Sequence, residues 1–340
     1  MAEVKVTSEL IVIAAVYADQ IIAQANRETP ILTSGRIRVM PGAGKGLQFV
    51  VSGDGAAAES IAETDDVSNF ASDPQQDVTI PWASIVSAFC VTDKARLAAI
   101  GANPMSNAAL SSQKVMEAAS AVLKLANQQF YTGTGANQVV GLVDAIGDDA
   151  NTYAGIDRTI PANAYWQPYV VDPGVPTPLT LALIQGDLAA IKVKSGMRPD
   201  LALVSPATYQ KVKGVFTAVS SYNFSVSPPA AAGMPAMLST EAGINVDGCI
   251  FLEDTWAPDG DIFYLNTSYV WMEHLVPDGA YTDGLPADLL PLVQARVLPL
   301  GMHIKSLAGA GLYNRHVVAS YPQLAVRRPN ACGTRYNVAV

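Results

Sequence analysis

The chain has 340 residues, 50% hydrophobic and 15% charged, enough apolar material for a packed core and too much for intrinsic disorder over most of its length. A formal net charge of -9 excludes a protein that grips duplex DNA by neutralising many phosphates. Cys90, Cys249 and Cys332 are odd in number and far apart, which excludes a C-x-x-C zinc or redox pair and predicts free thiols in a reducing compartment.

The first element is an apolar run, Leu10 to Ala18, too short to span a bilayer and preceded by more acid than base. Leu10, Ile13, Ala14, Tyr17, Ile21 and Ala25 share one helical stripe, so an amphipathic arm that lies on protein is expected, with no membrane contact. Arg36 to Val39 alternates and Leu47 to Val51 is a short apolar run, both predicting strands on either side of a Pro41-Gly42-Ala43-Gly44 break. Asp77 to Val91 predicts one long strand, with Pro81 marking an edge.

Between Gly46 and Thr92 there are seven acids and no Lys or Arg: Asp54, Glu59, Glu63, Asp65, Asp66, Asp73 and Asp77. Two strands flanking a tip of Ala, Ser and Asp predict a loop that projects from its own core, since those residues bury too little surface to fold back. Taken alone, the segment also fits a solvated acidic loop.

Asp93 opens a short helix that stops before Pro104. Ser106 is then an N-cap for the longest helix, to about Phe130, with Val115, Ala118, Ala119, Val122, Ala126 and Phe130 on one stripe. Gly133 and Gly135 allow a left-handed stop. Thr177-Pro178 predicts the cap of a helix through Lys194 that Gly196 ends. Leu201 to Val204 is a buried strand, and Ser205-Pro206 starts the next helix. Cys249 to Leu252 and Ile262 to Trp271 predict strands joined through Pro258-Asp259-Gly260, and Leu290 to Val340 is mostly strand and loop.

Motifs for chemistry fail one by one. Pro41 to Gly46 imitates a phosphate-cradling loop, but Val39 and Gly46 stand where a Walker A motif needs Gly and Ser or Thr. Three glycine pairs miss the dinucleotide fingerprint at its last glycine. His274, His303 and His316 form no zinc-binding spacing, and Asp254, Asp259 and Asp261 lack the rest of a calcium loop. No Ser sits in G-x-S-x-G, and Trp82, Trp166, Trp256 and Trp271 have no interleaved bases that would make them stacking platforms. The sequence predicts no catalytic residue, cofactor or metal.

Several segments, in this order, carry a resemblance. They are Gln128-Gln129-Phe130-Tyr131-Thr132-Gly133-Thr134-Gly135, Val140-Gly141-Leu142, Gly155-Ile156-Asp157-Arg158, Tyr165-Trp166, Pro199-Asp200-Leu201-Ala202-Leu203-Val204, Asp261-Ile262-Phe263-Tyr264-Leu265-Asn266, and Gln323 to Ala331 with Arg327-Arg328-Pro329-Asn330. Over nearly the whole chain this order resembles the tailed-bacteriophage major capsid proteins of the Hong Kong 97 type.

The resemblance implies an α+β fold with an N-terminal arm (1–35), an extended E-loop hairpin with flanking strands (36–91) and a peripheral P-domain with a long spine helix (92–170). It further implies a mixed axial A-domain (171–293) and C-terminal strands completing both domains (294–340). The implied function is a structural shell protein, assembled in the host cytoplasm as pentamers and hexamers of an icosahedral virion around double-stranded DNA that it contacts without sequence specificity.

Portal, scaffolding and decoration proteins are the implied further partners, and the short arm predicts a separate scaffolding protein or none. Intersubunit contacts are expected at Arg36, Arg38, Lys45, Asp54, Glu59, Glu63, Asp65 and Asp66, with Lys192, Lys194, Arg198 and Arg315 as basic partners of the acidic tip. An encapsulin shell of the same fold is the near alternative, and an α+β hydrolase or transferase the distant one.

Overall fold

A computed structural model describes residues 35–53, 60, 75–94, 104–135, 137–218, 244–275, 299–307 and 313–339. The N-terminal arm and the acidic tip with Asp54, Glu59, Glu63, Asp65 and Asp66 lie outside them, as does most of the helix expected from Asp93.

Strand β1 (Arg38–Gly42) takes in Pro41 and Gly42, so the expected break shrinks to Ala43–Lys45 before β2 (Gly46–Ser52). β2 pairs antiparallel with β3 (Gln75–Pro81), placing Leu47 opposite Ile80 and Phe49 opposite Val78. These four and Val51 are buried while Gln48, Val50, Asp77 and Thr79 face outward, the two-residue alternation of a half-buried hairpin.

The long strand expected from Asp77 to Val91 is two strands in two sheets, β3 and β4 (Ile85–Thr92). Pro81 has no N–H to continue the ladder, and the next amides leave it: Ala83 donates to the Pro322 carbonyl and Ser84 to that of Asn137.

Helix α1 (Pro104–Thr132) starts two residues before the expected cap, with Pro104 at the first position, where a missing N–H costs nothing. Its 29 residues make a rod of about 43 Å. The stripe Val115, Ala118, Ala119, Val122, Ala126 and Phe130 is buried, as its spacing predicts, and α1 packs on β4 and β14 (Tyr313–Ser320).

Short pieces follow: α2 (Leu142–Ile146), the paired β5 (Thr152–Tyr153) and β6 (Ile156–Asp157), a 3-10 segment (Pro161–Trp166) and β7 (Tyr169–Val171). Helix α3 (Leu181–Ser195) is capped by Thr180, whose hydroxyl accepts the Leu183 N–H, not by Thr177. Thr177 is held elsewhere, exchanging backbone bonds with Asn337 and Ala339 near the C-terminus. Gly196 ends α3 in the left-handed region at φ 76°.

Strand β8 (Leu201–Val204) is fully buried and leads into α4 (Pro206–Ala218), as expected. It is central in a six-stranded sheet ordered β7-β16-β11-β8-β10-β9, with β9 (Ile244–Val246), β10 (Cys249–Glu253), β11 (Ile262–Leu265) and β16 (Gly333–Arg335). Leu201 and Leu203 face the main core, and Ala202 and Val204 a second core with Ile184, Leu188 and Ile191 of α3. A strand covered on both sides reads as an unbroken apolar run.

The expected hairpin through Pro258-Asp259-Gly260 does not form: β10 runs parallel to β8 and β11 antiparallel on its other side. The expected strand Ile262 to Trp271 is also interrupted. A turn at Asn266–Tyr269, closed by the Tyr269 N–H on the Asn266 carbonyl, sends β12 (Val270–Leu275) into another sheet between β1 and β15 (Pro322–Val326). The third larger sheet orders β13 (His303–Leu307), β14 and β4.

Candidate assembly surface

Gln48, Val50, Asp77 and Thr79 present one face of the β2–β3 hairpin to solvent. Its other face is anchored to the body. The Phe49 ring lies 6.2 Å from that of Trp166, and the Arg327 guanidinium sits 5.5 Å from the Phe49 ring and 4.6 Å from the Trp271 ring. Trp166 is fixed by its indole N–H on the Tyr153 carbonyl at 3.2 Å. The flanking strands of the expected projecting loop are thus seated on the core through the apolar alternation of β2 and β3, while its Ala, Ser and Asp tip lies outside the described residues.

Of the expected contact residues on this limb, Arg36 is partly buried, and burial holds its guanidinium below the ordinary value against the pull of Asp200. Arg38 is exposed and donates to the Ser268 carbonyl at 3.3 Å. Lys45 lies exposed in the β1–β2 turn, which Trp82 clasps by donating to the Gly44 carbonyl at 3.0 Å.

The expected basic partners lie on different elements. Lys192 and Lys194 are on α3, Arg198 just after it, and Arg315 on β14 in a different sheet. Lys194 is tethered by its ammonium to the Pro168 carbonyl at 2.8 Å, and burial lowers its pKa against the pull of Asp149. Arg198 reaches the Asp247 carbonyl at 3.4 Å.

The structure groups Lys194 instead with Arg327 and Arg328, in a cleft of about 790 Å³ between the hairpin stem, the 3-10 segment, the end of α3 and the segment after β15. Arg328 donates to the Ser195 carbonyl at 2.9 Å and to Asn330 at 3.3 Å. Sequence reasoning used the Arg327-Arg328 pair only as a point of resemblance. Nothing local to it reveals Lys194, 133 residues away, as a neighbour.

Buried polar clusters elsewhere join elements. Asp254, following β10, accepts Tyr131 at 3.0 Å, the Asn127 amide at 3.2 Å and the Trp256 N–H at 2.9 Å, fastening α1 to the six-stranded sheet. Burial still raises its pKa. Asp187 on α3 receives Arg335, Tyr169 and Tyr264. A signal for this one existed: an acid within the stripe Ile184, Leu188 and Ile191 needs a buried partner.

Cys249 and Cys332 are buried thiols, and burial pushes Cys332 up to about 12, the wrong direction for a nucleophile. His303 stacks on Tyr321 and His316 on Phe89. Among the described residues no group of three His, Cys, Asp or Glu could hold a metal ion, and no helix is long and apolar enough to cross a membrane.

No protein-family model and no curated protein sequence matches the chain. Solved structures do. The capsid asymmetric unit of cyanophage A-1(L) matches at a TM-score of 0.70 and 15% identity, covering 95% of this chain and 96% of that one. The capsid of the native GTA particle matches at 0.58 and 13%, covering 94% of each, and the capsid of the Myoviridae phage XM1 at 0.53 and 13%, covering 94% and 95%. The chain has a mixed helix-and-sheet, phage capsid-type fold.

Proposed function

We propose that this chain is a major capsid protein, a structural subunit that assembles into an icosahedral virion shell around double-stranded DNA. The observation that carries this reading is the likeness to the cyanophage A-1(L) capsid along 95% of the chain. In this reading the segment 36–91 is the E-loop with its flanking strands, α1 the spine of a P-domain within 92–170, and 171–293 the A-domain around which five or six copies gather. Residues 294–340 complete both domains, and 1–35 form the arm.

Assembly needs many modest contacts. A heterologous contact repeated around a ring closes it, so small free energies per contact suffice when multiplied by copy number. The acidic tip residues Asp54, Glu59, Glu63, Asp65 and Asp66 meet basic groups of a neighbour, with Lys192, Lys194, Arg198 and Arg315 as the candidates, while Arg36, Arg38 and Lys45 serve the limb's own contacts. A net charge of -9 suits an inner wall that does not hold phosphates tightly. Portal and scaffolding or decoration proteins are the expected partners, and the host cytoplasm the site of assembly.

Electron microscopy of the expressed protein tests the reading. Closed shells of pentamers and hexamers support it, and a small oligomer refutes it. Shells from infected cells that carry enzyme cargo instead of nucleic acid would make the protein an encapsulin.

A further inference from the structure

Three cations line the cleft beside the hairpin stem, and its described lining contains no carboxylate. Lys194 and Arg328 are held by the Pro168 and Ser195 carbonyls, which fix their positions without neutralising them. Arg327 is held by the faces of Phe49 and Trp271, an arrangement that orients a guanidinium and leaves its N–H fork available. The ion pairs among the described residues are Lys114–Glu117 and Asp187–Arg335, so neither includes these three. Fixed, unneutralised cations around a concavity form a receptor for carboxylates or phosphates.

The surroundings separate those two. Val50, a lining residue, is 58% exposed, Val193 next to Lys194 is 88% exposed, and Met197, in contact with Arg328, is 39% exposed. Apolar side chains bordering the charges suit a polypeptide that brings both acids and apolar groups, and suit a phosphate backbone poorly. The chain carries such a segment: 54–77 has seven acids with Ile61, Val67 and Phe70 between them and no Lys or Arg. Gly53, the residue just before it, lines the cleft. A segment of this length, doubled back, reaches about 35 Å, enough to cross to an adjacent subunit.

We propose that the Lys194–Arg327–Arg328 cleft binds the acidic 54–77 segment of a second copy, so that each subunit offers its tip to the root of the next hairpin. The inference rests on the assembly reading and replaces the dispersed set of basic partners with one receptor. Such a root-to-tip contact is heterologous, the kind that closes rings.

Zero-length carbodiimide coupling of the full chain tests it, because the reagent joins a lysine amine only to a carboxylate in contact. Copies carrying 14N and 15N are mixed before assembly, coupled and digested, and the linked peptides are read by mass spectrometry. The expected product joins Lys194 to an acid within 54–77, with about half of the pairs of mixed label, and it fades at high salt as exposed ion pairs do. Same-label pairs alone, coupling of Lys194 to acids elsewhere, or no Lys194 product while other lysines couple would each overturn the proposal.

Lys194→Gln should slow assembly by about tenfold and Lys192→Gln, outside the cleft lining, by less than about twofold, since charges that steer association act mainly on its rate. Equal effects would show diffuse attraction and refute the receptor. Shells that form without the Lys194 product sink this inference alone, whereas absence of shells sinks the assembly reading.

Discussion

Arg335 on β16 and Asp187 on α3 form a two-point ion pair inside the protein, with Nε to Oδ2 and Nη2 to Oδ1 both at 2.5 Å. The Asp187 side chain is 1% exposed, and Tyr169 and Tyr264 donate to its oxygens as well. The pair ties the C-terminal strand to a helix 148 residues earlier. Removing one member strands a buried charge, so Arg335→Ala should cost about 3–5 kcal/mol. Replacing both by apolar residues of similar volume should cost far less. Chemical denaturation of the single and double variants checks the difference, and equal losses would show that packing, not charge, matters there.

Tyr131 near the end of α1 carries a second such link, through its hydroxyl to Asp254 at 3.0 Å. Tyr131→Phe keeps the ring against Phe130 and Phe263 and removes a donor to a buried carboxylate. The expected loss is about 1.5–3 kcal/mol. Burial already raises the Asp254 pKa, and with one fewer donor it should rise further. Titration of Asp254 by carbon NMR in both proteins reads that directly.

Asp261 gives the stability a pH dependence. Burial pushes its carboxyl to about 7, with Asp172 and Asp259 nearby adding to the rise and the Asn337 backbone N–H opposing it. The unfolded carboxyl titrates near about 3.9. Between these values the folded state holds the extra proton, so this residue makes the protein more stable as pH falls through about 7, and that gain is complete below the unfolded value. Asp261→Asn should remove this part of the slope. Denaturation midpoints of the two proteins at pH 5 and pH 8 decide it: an unchanged difference between them refutes the assignment.

What the sequence makes legible follows from how local the cause is. Leu201 to Val204 is readable because a strand buried on both faces must be apolar throughout, and the α1 stripe because 3.6-residue spacing records its packed side. The break at Trp82–Ser84 is not, since alternation continues across it while the backbone bonds change partners to Pro322 and Asn137. The pairing of β8 between β10 and β11 escapes for the same reason: periodicity gives a strand's faces and not its neighbours. The cleft is assembled from four segments between Val50 and Asn330, so its charge is invisible in any one window.

Gly133 and Gly141 mark a place where the backbone itself is the constraint. The Gly141 N–H donates to the Gly133 carbonyl at 2.9 Å, and a Cβ on Gly133 would stand 2.7 Å from the Gln129 carbonyl oxygen and closer still to that of Val139. Neither obstacle is a flexible side chain. Gly133→Ala should therefore cost about 3 kcal/mol or more, at the upper end of overpacking penalties. Gly155→Ala, with open space around the new carbon, meets only the strain of its positive φ of 84°. Thermal melts of the two variants should rank in that order.

The hairpin stem supplies the last test, because its attachment decides how the limb is aimed. Phe49 is 8% exposed and makes its described ring contacts with Trp166 and Arg327, residues of two segments outside the hairpin. β2 and β3 form a sheet of two strands, linked outside it by the Gln323 amide donating to the Pro81 carbonyl at the edge of β3, and a two-stranded ribbon is marginal by itself in water. The apolar face therefore supplies much of its order. Phe49→Ala removes the central contact of that face at a cost of about 3–5 kcal/mol, enough to release the ribbon while the six-stranded sheet, which shares none of its strands, stays folded. Limited proteolysis should then cut within 46–81 at least tenfold faster than in the parent. Phe49→Leu, retaining most of the buried area, should restore most of the protection. Unchanged cleavage in Phe49→Ala would mean that Leu47, Val78 and Ile80 hold the stem by themselves.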